Sequence, residues 1–126
     1  MPLILEKPSV LSFPKESILE ETERQTIVHC TLEAMPHFYS TLVRIWPTTF
    51  LIQENGVKKN LLYFERITGF PMWMPVRLPH TFTLIFEGLD ESCTHFDLME
   101  EIPESGGFEV NNIPRNEMDV YRVQLL

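Results

Sequence analysis

The apolar residues of this chain recur at every second position, and that constrains its fold more than any other feature. Val28, Cys30 and Leu32 alternate with His29, Thr31 and Glu33. Phe82, Leu84 and Phe86 alternate with Thr81, Thr83 and Ile85, and Phe96 and Leu98 stand opposite His95, Asp97 and Met99. Tyr121, Val123 and Leu125 share one face of the closing segment, Asp119–Leu125. A strand turns successive side chains to opposite faces, so this period yields extended segments with one apolar and one wet face. Val43 and Ile45 carry it into Thr41–Trp46, which Pro47 interrupts before Thr48–Gln53 resumes. No segment shows the 3.6-residue period of an amphipathic helix.

The turns fall between these segments. Asn55-Gly56 suits the positive φ angles of a tight type I′ turn, so Phe50–Glu54 is predicted to pair with Val57–Leu62. The return strand extends through Tyr63 and Phe64 toward Ile67. Gly88–Ser92, Pro103–Gly107 and Asn111–Asn116 read as turns, with Phe108–Val110 a short strand between the last two. Pro71, Pro75 and Pro79 exclude a central strand from Gly69–Pro79, which reads as a long loop. Residues 1–17, with Pro2, Pro8 and Pro14, read as an extended arm holding an edge strand at Leu3–Leu5. Ser17–Arg24 fits a helix start or an edge strand ending in a turn, and the strand is the expectation. About seven or eight short strands with these spacings predict one all-β domain over residues 18–126, a mostly antiparallel β-sandwich.

A chain of 126 residues can bury a core without disulfides or metals. The formal net charge of −8 repels a phosphate backbone, which argues against nucleic acid as a partner. Cys30 and Cys93 are too few for a disulfide scaffold. They pack as small hydrophobes or form a single bridge. The first residues show no signal-peptide pattern, and no apolar run is long enough for a membrane span. A chain complete as written is therefore expected in the cytoplasm and away from membranes.

Three segments carry a resemblance to a known group of domains. They are Leu42-Val43-Arg44-Ile45 with Thr49-Phe50-Leu51, then Phe82–Leu89, then Thr94-His95-Phe96-Asp97-Leu98-Met99-Glu100. In these places the chain resembles small immunoglobulin-like β-sandwich domains of uncharacterised bacterial proteins, over roughly residues 18–113. The resemblance implies an immunoglobulin-like sandwich and brings no catalytic residue with it. The closing segment Asp119–Leu125 departs from it.

The residues offer few chemical constellations. His29, His37, His80 and His95 show no zinc-ligand spacing. Cys93 and His95 would share a face of a regular strand, but two ligands make no closed site, and neither metal nor cofactor is expected. No nucleophile elbow or phosphate loop is present, and Ser105-Gly106-Gly107 reads as a turn. Asp97, Glu100, Glu101 and Glu104 cluster near one strand end, where they suit a solvated rim, bonds to turn amides, a calcium site or acid–base work.

Phe70, Met72 and Trp73 in the proline-rich segment, with Trp46 near them, are the candidate binding residues. Such groups either plug an open end of the sandwich or form a contact surface. The expectation is a non-enzymatic interaction module that self-associates or binds another protein. A carbohydrate-binding domain with an aromatic platform is the alternative. A hydrolase using the Asp97–Glu104 cluster ranks below both.

Overall fold

A computed structural model describes residues 24–125 of the chain. The extended arm, the Leu3–Leu5 strand and nearly all of Ser17–Arg24 lie outside these residues. Nine strands follow in order: β1 (Gln25–Leu32), β2 (Ser40–Val43), β3 (Thr49–Gln53), β4 (Lys58–Glu65), β5 (Met74–Arg77), β6 (His80–Glu87), β7 (His95–Glu100), β8 (Glu109–Pro114) and β9 (Val120–Leu125). Among the described residues there is no helix, and so none that could cross a membrane.

Seven strands form one mixed sheet in the order β8-β7-β3-β4-β6-β1-β9, and β2 pairs with β5 in a small second sheet. Every pairing is antiparallel except β1 with β9, which run parallel. The large sheet curls nearly into a barrel. Phe96 on β7 meets Tyr121 on β9 edge to face, with ring centroids 4.9 Å apart. Those two strands lie near opposite edges of the sheet, so the rings touch across its interior.

Alternation places the core as the period requires. Val28, Cys30, Phe82, Leu84, Phe86, Phe96, Leu98, Tyr121, Val123 and Leu125 are all buried in one cluster. Each large apolar side chain fully removed from water contributes roughly 1.5–3 kcal/mol. The opposite face of β1 and β6 is a polar ladder, with His29 Nδ1 2.8 Å from Thr83 Oγ1 and Thr31 Oγ1 2.9 Å from Thr81 Oγ1.

Three local expectations change. The β3–β4 hairpin forms, but Gly56 has φ +87° while Asn55 does not adopt a positive φ. The Gly56 N–H donates to Gln53 O and the Gln53 N–H to Val57 O, as in a three-residue loop whose last residue alone is left-handed. Second, Gly69–Pro79 is not all loop, because Met74–Arg77 forms β5 with Pro75 inside it. Only one partner strand adjoins β5, so a proline without an N–H is tolerated there. Third, Asn111–Pro114 continues β8 instead of turning. β8 is an edge of its sheet, which again leaves room for Pro114.

The register sorts the loops to two ends of the curled sheet. The ends of β1, β4, β7 and β9 and the starts of β3, β6 and β8 share one end, which β2 and β5 adjoin. The β3–β4 turn, the Gly88–Thr94 connection and the β8–β9 turn share the other.

Candidate functional site: an aromatic groove at one end of the barrel

The first end holds a groove of about 290 Å³. Its floor is apolar, with Leu32, Val43, Ile67, Phe82 and Leu125. Trp46, Trp73 and Arg44 stand along one side, and Glu100, Ile102, Glu104 and Phe108 along the other. Small-molecule sites have this form, an apolar hollow with a few convergent polar groups, and barrel mouths commonly hold them.

Backbone pairing assembles the aromatic side. Ile45 and Gly69 form a parallel bridge, with the Ile45 N–H donating to Thr68 O at 2.8 Å and the Phe70 N–H to Ile45 O at 2.9 Å. The residues that follow each partner, Trp46 and Phe70, are thereby brought side by side. Their rings stack with centroids 3.8 Å apart and planes at 26°. Gly69 sits close against Phe64, where an added Cβ would come within 3.1 Å of the ring.

Arg44 gathers the rings. Its guanidinium carbon lies 3.8 Å from the centroid of Trp73, 4.7 Å from Phe70 and 5.6 Å from Trp46. Nη1 donates to Pro71 O at 3.1 Å, and Nη2 lies 3.7 Å from Glu104 Oε2 across the groove. A planar guanidinium can stack on a ring and donate in its own plane at once, which an ammonium cannot do.

The acidic side is built at the end of β7. Glu100 pairs with Thr49 in the β3–β7 ladder, its N–H donates to Phe108 O, and its Oε2 accepts the Trp46 N–H at 3.1 Å. Burial raises the pKa of this carboxyl above its ordinary value, and the amides of Trp46 and Phe108 and the charge of Arg44 offset that only in part. Gly107 packs against the Glu100 carbonyl, where a Cβ would collide with the oxygen. Gly106, at φ +107°, completes the turn expected there.

The four candidate binding residues divide. Trp46 and Trp73 line the groove. Phe70 backs Trp46 and remains 42% exposed, and Met72 points away at 64% exposed. Trp73 is 51% exposed, so these aromatic residues do not plug the core, whereas Val76 and Met74 of the same proline-rich segment pack on it. Arg44 offers rings and aliphatic stem a charged partner outside the core, which holds the loop on the surface. Arg44 itself was not singled out from the sequence. Its signal is a lone guanidinium between Val43 and Ile45, on the strand face it shares with Trp46.

The acidic residues divide too. Glu100 and Glu104 line the groove. Asp97 accepts the Asn112 N–H at 2.9 Å, and Glu101 pairs with Lys58 at 3.1 Å. Among the described residues no group of three or more His, Cys, Asp or Glu side chains could hold a metal ion.

The opposite end is sealed by polar contacts. Asp119, 2% exposed, accepts from Arg115 at 2.8 and 3.1 Å, from Arg24 at 2.6 Å and from the Tyr121 hydroxyl at 2.9 Å. Burial pushes its pKa up, but the bonds from Arg115, Arg24 and Tyr121 outweigh burial and hold the carboxyl below its ordinary value. Arg115 also donates to the carbonyls of Asp90 and Cys93. Cys30 and Cys93 are both free and buried, not bridged. Cys93 precedes β7 in irregular backbone and donates to the His95 carbonyl, so it faces inward while His95 is exposed, and the two do not share a strand face.

No protein-family model, curated protein or solved structure shows significant similarity to this chain.

Proposed function

We propose that this domain is a non-enzymatic binding module and that the groove is its ligand site. The observation that carries this reading is the convergence of both tryptophans of the chain, one guanidinium and one buried carboxylate on a single apolar hollow. A ligand with an apolar face would lie against the indoles and offer polar groups to Arg44 and Glu100. The saccharide anticipated from the aromatic residues is one such ligand. The immunoglobulin-like likeness belongs to this proposal as well, supported by the burial of Val43, Leu84 and Leu98 from its three segments in one core.

Because both tryptophans line the groove, tryptophan emission excited selectively over the tyrosines reports on that place. Titration with a panel of mono- and disaccharides should shift or quench the emission, and Trp73→Ala should abolish binding without unfolding the domain. Saturable binding that survives Trp73→Ala would place the site elsewhere.

A second reading is contact with another copy of the chain. Phe38 and Leu42 are each 56% exposed and Tyr39 is 79% exposed, and Leu42 also lines the groove. Apolar rings grouped on a surface favour association. Light scattering at high concentration should then give a dimer mass, and a strict monomer removes this reading.

A further inference from the structure

The charges that line the groove do not balance. Two carboxylates, Glu100 and Glu104, face one guanidinium, Arg44. Arg44 is largely engaged elsewhere, stacked among three rings and bonded to Pro71 O. Its separation from Glu104 is 3.7 Å, against 2.6 Å for Arg24–Asp119, 2.8 Å for Arg115–Asp119 and 2.9 Å for Lys59–Asp90. Glu100 is only 9% exposed, accepts from the Trp46 amide and has no ion-pair partner among the described residues. A carboxylate withdrawn from water with only partial compensation, here from Arg44, is costly, and a bound cation lowers that cost.

Resting on the reading of the groove as a ligand site, we propose that it takes a small organic cation, a protonated amine on a compact apolar body, with the ammonium at Glu100 and the body on the apolar floor. Two physical effects converge on this class. An ammonium donates charge-assisted hydrogen bonds to a carboxylate. The apolar floor at Val43 and Phe82 takes the hydrocarbon part. One positive charge on the ligand makes the loaded groove neutral, whereas an anion meets two carboxylates and a neutral polyol leaves Glu100 only partly compensated. The volume of about 290 Å³ suits a body of about one ring, at the lower end of small-molecule sites. The net charge of −8 draws cations toward the surface as a whole.

The test compares cyclohexylammonium, cyclohexanol and cyclohexanecarboxylate, matched in shape and different in charge, by tryptophan fluorescence and calorimetry on the wild-type protein. The ammonium should bind about tenfold more tightly than the alcohol, and the carboxylate should bind weakest. Glu100→Gln, which keeps an acceptor for Trp46, should bring the ammonium close to the alcohol. The wild-type series alone decides the ligand class if that variant does not fold. If the alcohol or the carboxylate binds as well as the ammonium, the cation assignment is wrong while the groove stands as a site. The same holds if only a saccharide binds. If none of the three ligands and no saccharide binds, the assignment and the reading beneath it both fall.

Discussion

The backbone N–H of Trp46 donates to Oε2 of Glu100 at 3.1 Å, tying the aromatic side of the groove to its acidic side. The bond joins Trp46, in the connection between β2 and β3, to the last residue of β7, so the carboxylate is a structural clamp as well as a feature of the groove. Glu100→Ala should therefore cost about 1–3 kcal/mol in urea denaturation, since it strands a buried donor. Glu100→Gln should cost less, because it keeps the acceptor and removes the buried charge.

The same carboxyl gives a pH signature. Its folded pKa lies above the ordinary value of 4.5, so the native state holds the proton more tightly than the unfolded chain. This contribution is fully present below the unfolded pKa and is lost as pH rises through the folded one. Stability of wild type minus Glu100→Gln, followed from pH 4 upward, should fall over that window and then level. A flat difference would show that burial does not disfavour the charge.

Acid should act in the opposite sense at the sealed end. Hydrogen bonding from Thr94 lowers Glu54 from 4.5 to about 2, against a smaller opposing effect of desolvation. Asp119 and Asp90 are also held below their ordinary value of 3.8. Depressed carboxyls stabilise the fold above their unfolded pKa and lose that contribution as pH falls through the folded one. The melting temperature should drop between pH 4.5 and about 2, and Glu54→Gln should make the drop shallower.

Removing the Asp119 side chain should be among the most damaging single changes. Asp119→Ala leaves Arg115 and the Tyr121 hydroxyl facing a buried gap, an effect of about 3–5 kcal/mol. Asp119 also sits at φ +56°, which asparagine tolerates better than alanine. Asp119→Asn should therefore retain more stability than Asp119→Ala, as equilibrium denaturation will show.

Arg44 should hold the aromatic loop in place. Arg44→Ala removes contacts to three rings and should cost about 1–2 kcal/mol, with a red shift of tryptophan emission. Arg44→Lys should restore little, because an ammonium cannot stack and fork together. Unchanged emission in both variants would mean that the loop keeps its place without the guanidinium.

The two thiols should be silent in the folded protein. Burial pushes Cys30 up to about 12 and Cys93 up to about 11, with Glu54 adding to the latter. A thiolate-directed reagent near neutral pH should modify neither until denaturant is added, when both should react.

What the sequence determined by itself is the strand pattern and the core. Period-two spacing at Val28–Cys30, Phe82–Phe86, Phe96–Leu98 and Tyr121–Leu125 assigns each side chain to a face, and a face is a local property of an extended backbone. Proline was a weaker guide, because Pro75 and Pro114 sit in strands with a free edge, and edges are defined only once the sheet is assembled. Trp46, Phe70 and Trp73 were legible as unusual residues, but not their division into groove walls and support. Tertiary structure alone decided that β9 lies parallel to β1 and that Arg44 reaches three rings. It alone placed Glu100 beside Trp46, 54 positions away along the chain. Those relations arise from how a curled sheet brings strand ends together, and no spacing along one segment encodes which distant ends will meet.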